Sequence, residues 1–491
     1  MKKITGKIED VFEYIKSSNG NSPDITTRII KINNKRIGYI FLQSVSSDDK
    51  ISDFLVKSLT QDAQSNKVNL FTNIFNNIQN NIANSNMKVI HNYEDMFYYL
   101  ASGFTIVAVD NESRVICIET KAQLDRGVTE ATTETVVRGP KDSFTENIMT
   151  NTGLIRKRIK DSNLWFDELT IGKRTRTKVD IIYLKDVVKE DDINKIKDKL
   201  TNINIDGIID SGYLKEYLFH NKNYLFPKIQ STERPDVACT SILAGKIIIL
   251  VENSPFVLIL PTVFVDFLHA AEDNYELPFN VSVSRILRFL SFIVTIVTPA
   301  AYIAIMTYDI KLIPSQLLIS LASQRQGVPF PTVIEVLLLL VTFEILRESD
   351  LRSPTQMGAS VSIVGALVLG DAAVAAGIVS PIAVIIVAIT SISGLVFSDI
   401  DMVNSIRVWR IIFLLFATTL GLIGILVAGI ILITKLTSIE TLGTPYLAPL
   451  SPFNLKAQKY GLLKSARGKT LERPSYLNTK NIKRGENNDQ N

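Results

Sequence analysis

The stretch SPTQMGASVSIVGALVLGDAAVAAGIVSPIAVIIVAITSISGLVFS, Ser353 to Ser398, runs for 46 residues with Asp371 as its one charge. About 20 mostly apolar residues suffice for a helix to cross a hydrocarbon core. The stretch is therefore long enough for two passages, broken at Gly377 to Pro381. Two more uncharged runs flank it: Phe289 to Tyr308, of 20 residues, and Ile411 to Thr434, of 24. Before Arg285 the 491-residue chain is a different polymer, studded with Lys, Asp, Glu and Asn. This contrast predicts a soluble N-terminal half, a membrane half and a short tail.

Working outward, four crossings are expected: Leu287–Tyr308, Gly358–Ile378, Pro381–Ser398 and Val408–Lys435. SPFVLILPTVFVDFLHAAEDNYE is broken by Pro255 and Pro261 and interrupted by Asp266. It is expected to lie at the interface or re-enter the membrane rather than cross. Pro331 to Leu346 is apolar enough to enter the membrane but carries Glu335 and Glu344. From Leu455 onward there are nine Lys or Arg against three acids, which places the tail in the cytoplasm by the positive-inside rule. The opening MKKITGKIEDVFEYIKS has no apolar h-region, so the N-terminus is expected on the same side and the crossing count is even. From Lys464 the tail is polar and is expected to be disordered.

In the N-terminal half, RIIKINNKRIGYIFLQS and GFTIVAVDNESRVICIE read as strands, the second as a hairpin across Asp110 to Ser113. VDIIYLKDVV, Asn204–Ile209 and KIIILVEN are further expected strands. Ile193, Ile196 and Leu200 have helical spacing. Strands alternating with helices predict βαβ units, and no repeat is evident. The boundaries drawn are 1–125 and 166–252 for two α/β subdomains, 126–165 for a connector, 253–440 for the membrane domain and 441–491 for the tail. The expected fold class is an α/β cytoplasmic N-terminal region of two subdomains, followed by an α-helical multi-pass membrane domain.

Composition excludes more than it assigns. The chain has no GxSxG, P-loop or HExxH, and its histidines, His91, His220 and His269, have no ligand spacing. No enzyme, cofactor or metal is expected. Cys117 and Cys239 lack paired spacing and read as buried apolar fillers in a reducing compartment. A net charge of +4 on this length gives no reason to expect nucleic acid.

Two features carry chemistry. The connector RGVTEATTETVVRGPKDSFTENIMTNTGLIRKRIKDSNL is dense in Thr, Glu and Arg. It is either a solvated linker or a network of Arg–carboxylate forks that locks the subdomains or neighbouring subunits together. The other feature is Asp371. A carboxylate near the bilayer centre costs about 2.5–3.5 kcal/mol unless it faces water or a partner. Ser360, Val364, Leu367 and Asp371 share one helical face, and small residues around Asp371 permit close packing. Asp371 therefore lines a cavity, or else marks the water interface where its helix ends. Glu335 and Glu344 are nine apart, on opposite faces of a helix, and Glu335 is the better candidate for a buried acid.

The connector, ERPDVACTSILAGKIIILVENSPFVLILP, RQGVPFP with FEILRE, SIVGALVLGDAAVAAGIVSP and GTPYLAPLSPFN together resemble the A subunits of GerA-family spore germinant receptors. The resemblance runs from about residue 30 to 455, with Ala131 where the family usually has Pro and Asp371 where it often has Glu. It implies a protein of the spore inner membrane with cytoplasmic termini. Its implied partners are a nutrient-binding, transporter-like B subunit and a lipoprotein C subunit. It also implies a homo-oligomer, a pentamer, in contact with lipid and forming a ligand-gated cation channel. On this reading Ser360, Val364, Leu367, Asp371 and Glu335 are pore-lining candidates. Arg126, Glu130, Glu134, Arg138, Glu146, Arg156 and Arg158 are subunit-contact or gating candidates. A SpoVAF-type channel subunit that amplifies germination and an ion-coupled secondary transporter are the alternatives.

Overall fold

KRIGYIFL and FTIVAV, each rich in β-branched and aromatic residues, lie at the centre of the first sheet in a computed structural model of the chain. It describes residues 4–32, 35–57, 75, 86–122, 130–131, 133–219, 225–352, 370–466, 468 and 470–485. Contacts divide the chain into two units. One holds Met1–Lys222, Lys228–Thr262 and Arg467–Asn491; the other holds Asn223–Pro227 and Val263–Ala466.

In the first unit, α1 (Ile8–Ser18) precedes β1 (Ile25–Ile32) and β2 (Lys35–Leu42). Then come β3 (Met87–Ile90), α2 (Tyr93–Ala101), β4 (Phe104–Val109) and β5 (Val115–Glu119). The second half begins with α3 (Ile148–Arg158), β6 (Leu164–Ile171) and β7 (Thr177–Leu184). It continues through α4 (Glu190–Thr201), α5 (Ser211–Phe219), β8 (Gln230–Thr232), α6 (Pro235–Ala244), β9 (Ile247–Val251) and β10 (Val257–Leu260). The sheet orders are β1-β2-β4-β5-β3 and β6-β7-β9-β10-β8. Every pair in both is antiparallel, which corrects the expectation of βαβ units. Two of the four neighbour pairs in each sheet are consecutive strands joined as hairpins, and the other two, between strands not consecutive in the chain, are antiparallel as well.

The two orders are the same order. Five added to each strand number of the first sheet gives the second, so the chain repeats itself, contrary to the expectation of no repeat. The register follows at one constant spacing: Ile40 and Ile182, Leu42 and Leu184, Val45 and Val187, Gly103 and Gly245, Asn111 and Asn253. Backbone bonds repeat as well. Val45 N donates to Leu42 O at 3.2 Å, and Val187 N to Leu184 O at 3.1 Å. Asp110 N donates to Arg36 O at 3.3 Å, and Glu252 N to Lys178 O at 3.0 Å. Asn111 and Asn253 both turn the β4–β5 and β9–β10 hairpins in the left-handed region, at φ 65° and 66°. So few identities fix the likeness that sequence inspection passes over it.

Three further expectations are corrected. VLIL, read as interfacial, is β10, buried throughout between β9 and β8. Asn204–Ile209 is a loop that accepts backbone bonds from Lys173 and Arg174. The tail is ordered where described: Arg473 donates to the carbonyls of Leu243, Asn481 and Lys483, and Lys480 N to Val187 O.

The second unit is helical. It holds α7 (Pro278–Thr307), α8 (Ser315–Arg325), α9 (Thr332–Arg352), α10 (Pro381–Gly394) and α11 (Ile400–Thr437). Two helices, α7 and α11, are long and apolar enough to cross a membrane. Their outward residues are large and apolar, among them Leu287, Leu290, Ile423 and Leu426. α10 has 14 residues, about 21 Å, short of the roughly 30 Å hydrocarbon core, so Pro381–Ser398 is not a straight helical crossing. Most of Gly358–Ile378 lies outside the described residues, and 370–375 are helical.

Val408–Lys435 is not one straight crossing either. Gly421 leaves helical geometry at φ 61°, ψ −140°. A Cβ on Gly424 would collide with the carbonyl of Phe416, eight residues earlier, whereas a straight helix would separate the two by about 12 Å. The ring of Phe226 lies 6.1 Å from Trp409, at the start of this segment, and 6.5 Å from Tyr446, beyond its end. The helix therefore folds back at Gly421 into two packed arms, pinned at the bend by the Tyr308 hydroxyl donating to Thr418 O at 2.6 Å.

Candidate functional site

The connector's basic cluster, at the end of α3, builds the joint between the two repeats. Arg156 is 1 % exposed, and its guanidinium forks the carboxylate of Asp24, Nε at 2.7 Å and Nη2 at 2.8 Å. Ser22 and Ser44 donate to the same carboxylate, and the guanidinium stacks 4.3 Å over Phe166. Asp24 belongs to the first repeat, and Arg156 and Phe166 to the second. Burial alone would raise the Asp24 carboxyl. The Arg156 charge and the hydrogen bonds from Arg156, Ser22 and Ser44 outweigh it and hold the group below its ordinary value. Trp165 Nε1 completes the joint by donating to Ser18 O at 3.1 Å, its ring lying over Gly20.

A second buried acid belongs to this joint. Asp180, on β7, is 3 % exposed. Burial, then the negative charges of Glu168 and Asp24, push its carboxyl up to about 7, against Lys178 and Thr152. Thr152 lies beside it, yet neither Thr152 Oγ1 nor Asp180 Oδ1 has a hydrogen-bond partner among the described residues. Gly38 holds the matching strand position in the first repeat and, with α1 and α3 aligned end to end, Phe12 the matching helix position, the two packed against each other. The fold thus does not require a carboxylate there.

The rest of the connector is clamped by ERPD. The Glu233 carboxylate accepts from Thr133 N, Thr133 Oγ1 and Glu134 N. Arg234, 1 % exposed, forks Asp236 and donates to the carbonyls of Glu134 and Pro140. The Glu134 carboxylate accepts from Thr232, and Arg158 Nη2 donates to both carboxylate oxygens of Asp142. Glu146 is exposed, and its carbonyl accepts from Asn253 N at 2.9 Å. Glu130 pairs with Lys141 on the surface, and Arg138 is exposed with no ion pair among the described residues. Arg126 lies outside the described residues. Asp24, Asp142, Asp180, Glu233, Arg234 and Asp236 were missed as site residues. Only the opposed charges of ERPD offered a signal.

In the helical unit, Glu335 is fully buried. One carboxylate oxygen accepts from the amide and hydroxyl of Ser380, at the N-terminus of α10. Its other oxygen has no partner among the described residues. Asp371 is exposed, as are Ala372, Ala375 and Ala376, and it has no hydrogen bond or ion pair among the described residues. Ser360, Val364 and Leu367 lie outside the described residues. Glu344 faces Arg407 and Arg410 of α11. Cys117 and Cys239 are free and buried, and burial pushes the Cys239 thiol up to about 12.

The family model described as Bacillus/Clostridium GerA spore germination protein matches residues 13–476. The chain belongs to this family. Spore germination protein KA of Bacillus subtilis (strain 168) is 35% identical over 449 residues, 91% of this chain and 82% of that protein. Spore germination protein GerLA of Bacillus cereus is 33% identical over 480 residues, 97% of each. A crystal structure of the N-terminal domain of the A subunit of the Bacillus megaterium spore germinant receptor GerK3 is 31% identical. It covers 54% of this chain and 98% of that one, at a TM-score of 0.44. The joint at Arg156 and the helical unit are thus parts of a GerA-family protein.

Proposed function

We propose that this GerA-family chain is the A subunit of a nutrient germinant receptor in the spore inner membrane. It acts without enzymatic chemistry, beside a nutrient-binding B subunit and a lipoprotein C subunit. Copies of it assemble, as a pentamer, into a ligand-gated cation channel. The observation that carries this reading is Asp371, an exposed carboxylate beside exposed small residues and the one charge between Ser353 and Ser398. Such a group needs water or a partner, and a ring of copies around a wet axis supplies both. Small neighbours let the copies approach.

The tail supports the topology. Residues 473–480 pack on the same unit as both sheets, which supports the reading that the chain returns to the side it left after an even number of crossings. The exposed tip of the connector, with Glu130, Val137 and Arg138, is suited to touch a neighbouring copy. The decisive experiment is conductance of the reconstituted receptor in a planar bilayer. Germinant should open unitary cation currents, and Asp371→Asn should change their amplitude or selectivity at normal protein level. Unaltered currents in that variant would remove Asp371 from the pore. A second reading, an ion-coupled transporter, draws on the helix broken at Gly421. It requires slow, saturable flux in place of unitary currents.

A further inference from the structure

Three guanidinium groups converge where the apolar lengths of α9 and α11 end. The uncharged run of α9 stops at Glu344, and that of α11 begins after Arg410. Glu344 accepts from Arg410 Nη2 at 2.7 Å and pairs with Arg407. Arg347, one turn further along α9, lies within electrostatic reach of Arg407, Arg410, Glu344 and Glu348. Glu348 is held by Arg352 at 2.6 Å. Glu344 therefore faces three arginines, leaving an uncompensated excess of positive charge.

The donors show the same excess. Arg410, with 8 % of its side chain exposed, leaves Nε without an acceptor among the described residues, and Arg407 leaves its own Nε likewise. Arg407 Nη1 reaches only the side-chain oxygen of Asn404, at 3.0 Å. Arg347 has no hydrogen bond or ion pair among the described residues. Three like charges that share one carboxylate at the end of an apolar helix pair repel one another. Proteins hold them so when an anion with several acceptor oxygens completes the set.

We propose that Arg347, Arg407 and Arg410 form a binding site for a phosphate group, carried by an anionic phospholipid. The lipid source rests on the membrane placement proposed above; the phosphate chemistry does not. Lipid phosphates lie at the depth where the two apolar runs end, which favours the headgroup over a free ion.

The test uses the full chain in a neutral detergent. Native mass spectrometry would titrate it with dioctanoyl phosphatidylglycerol, dioctanoyl phosphatidylcholine and inorganic phosphate. Saturable binding of the anionic lipid over the zwitterionic one is expected. Arg347→Gln should weaken it roughly ten-fold, the worth of one charge-assisted hydrogen bond. Arg347 does not hold Glu344, so this variant keeps the α9–α11 pair that Arg410→Gln would break. Glu344→Gln should tighten binding, because it removes the competing carboxylate; a purely structural cluster predicts no gain. Binding of inorganic phosphate with the same dependence on Arg347 would support the site and reassign its source to the free anion. Equal retention of both lipids, unchanged in Arg347→Gln and without phosphate binding, would overturn it. Conductance of Arg347→Gln, read separately, keeps this result apart from the channel reading.

Discussion

The two repeats of the first unit share strand order, hairpin turns and backbone bonds, yet they differ at the one surface where they meet. In the first repeat, Gly38 leaves room for Ile8 and Phe12, and the space between α1 and the sheet is apolar. In the second, Asp180 and Thr152 occupy that space, next to the pair of Arg156 with Asp24. With the two 11-residue helices α1 and α3 aligned end to end, the position that matches Arg156 is Lys16, part-exposed on α1. One scaffold thus carries an oil-filled version and a charged version of the same helix–sheet contact. The charges belong to the joint, not to the fold.

The strongest break in this comparison is Arg156→Ala. Removing one partner of a buried ion pair leaves the other charge uncompensated, at about 3–5 kcal/mol. Lys16→Ala should cost under about 0.5 kcal/mol, as expected of a surface change away from such features. Urea unfolding of the full chain in detergent, read by Trp165 fluorescence in a Trp409→Phe background, would measure both. Equal losses in the two variants would show that the joint has no special weight.

Asp180 sharpens the contrast through pH. An unfolded Asp titrates near pH 3.9, while burial moves Asp180 to about 7. Between those values the folded state keeps a proton that the unfolded chain has lost. Stability therefore falls as pH rises from about 4 to 7 and levels off above that, by on the order of 4 kcal/mol in total. Asp24, held low, acts the other way: its contribution is full above the unfolded value and is lost as pH falls below it. Asp180→Asn should flatten the fall between pH 4 and 7. A slope unchanged in that variant would assign it to other groups.

Gly38→Ala tests the apolar side. An added methyl would meet Ile8 and lie 2.8 Å from Phe12 Cζ. Overpacking of this kind costs about 1–3 kcal/mol. The double change Gly38→Ala with Phe12→Leu should recover part of it, measured by the same unfolding curves.

Much of this was legible in the residues, and the exceptions have physical reasons. FTIVAV and VICIE pair as the hairpin that alternation suggested, and Ile193, Ile196 and Leu200 bury one face of α4. LWFDELTI was overlooked because Asp167 and Glu168 interrupt it. It is an edge strand, where Asp167 can bind the Tyr183 hydroxyl and Lys197. VLIL looked like membrane because a strand buried on both faces is as apolar as a lipid-facing segment. Asp24 is 132 positions from Arg156, and a contact that distant leaves no local pattern. The fold-back at Gly421 hides in an uncharged run, where GLIG was the available sign.

The smallest expected effect on stability separates the two ends of the connector. Its end at Arg156 is buried in the joint. Its tip is exposed: Val137 is 96 % accessible, and Glu130 and Lys141 form an ion pair in water. Such a pair contributes less than about 1 kcal/mol, so Glu130→Gln and Val137→Ser should leave the unfolding curves nearly unchanged. Among the described residues, Val137 at the loop tip is almost fully exposed and buries no apolar surface. If the tip touches a neighbouring copy, Val137→Ser should lower the recovery of oligomer on size exclusion while the protomer stays folded. Full recovery of oligomer and normal germination in that variant would return the tip to a solvated loop and leave Arg156 as the connector's sole working end.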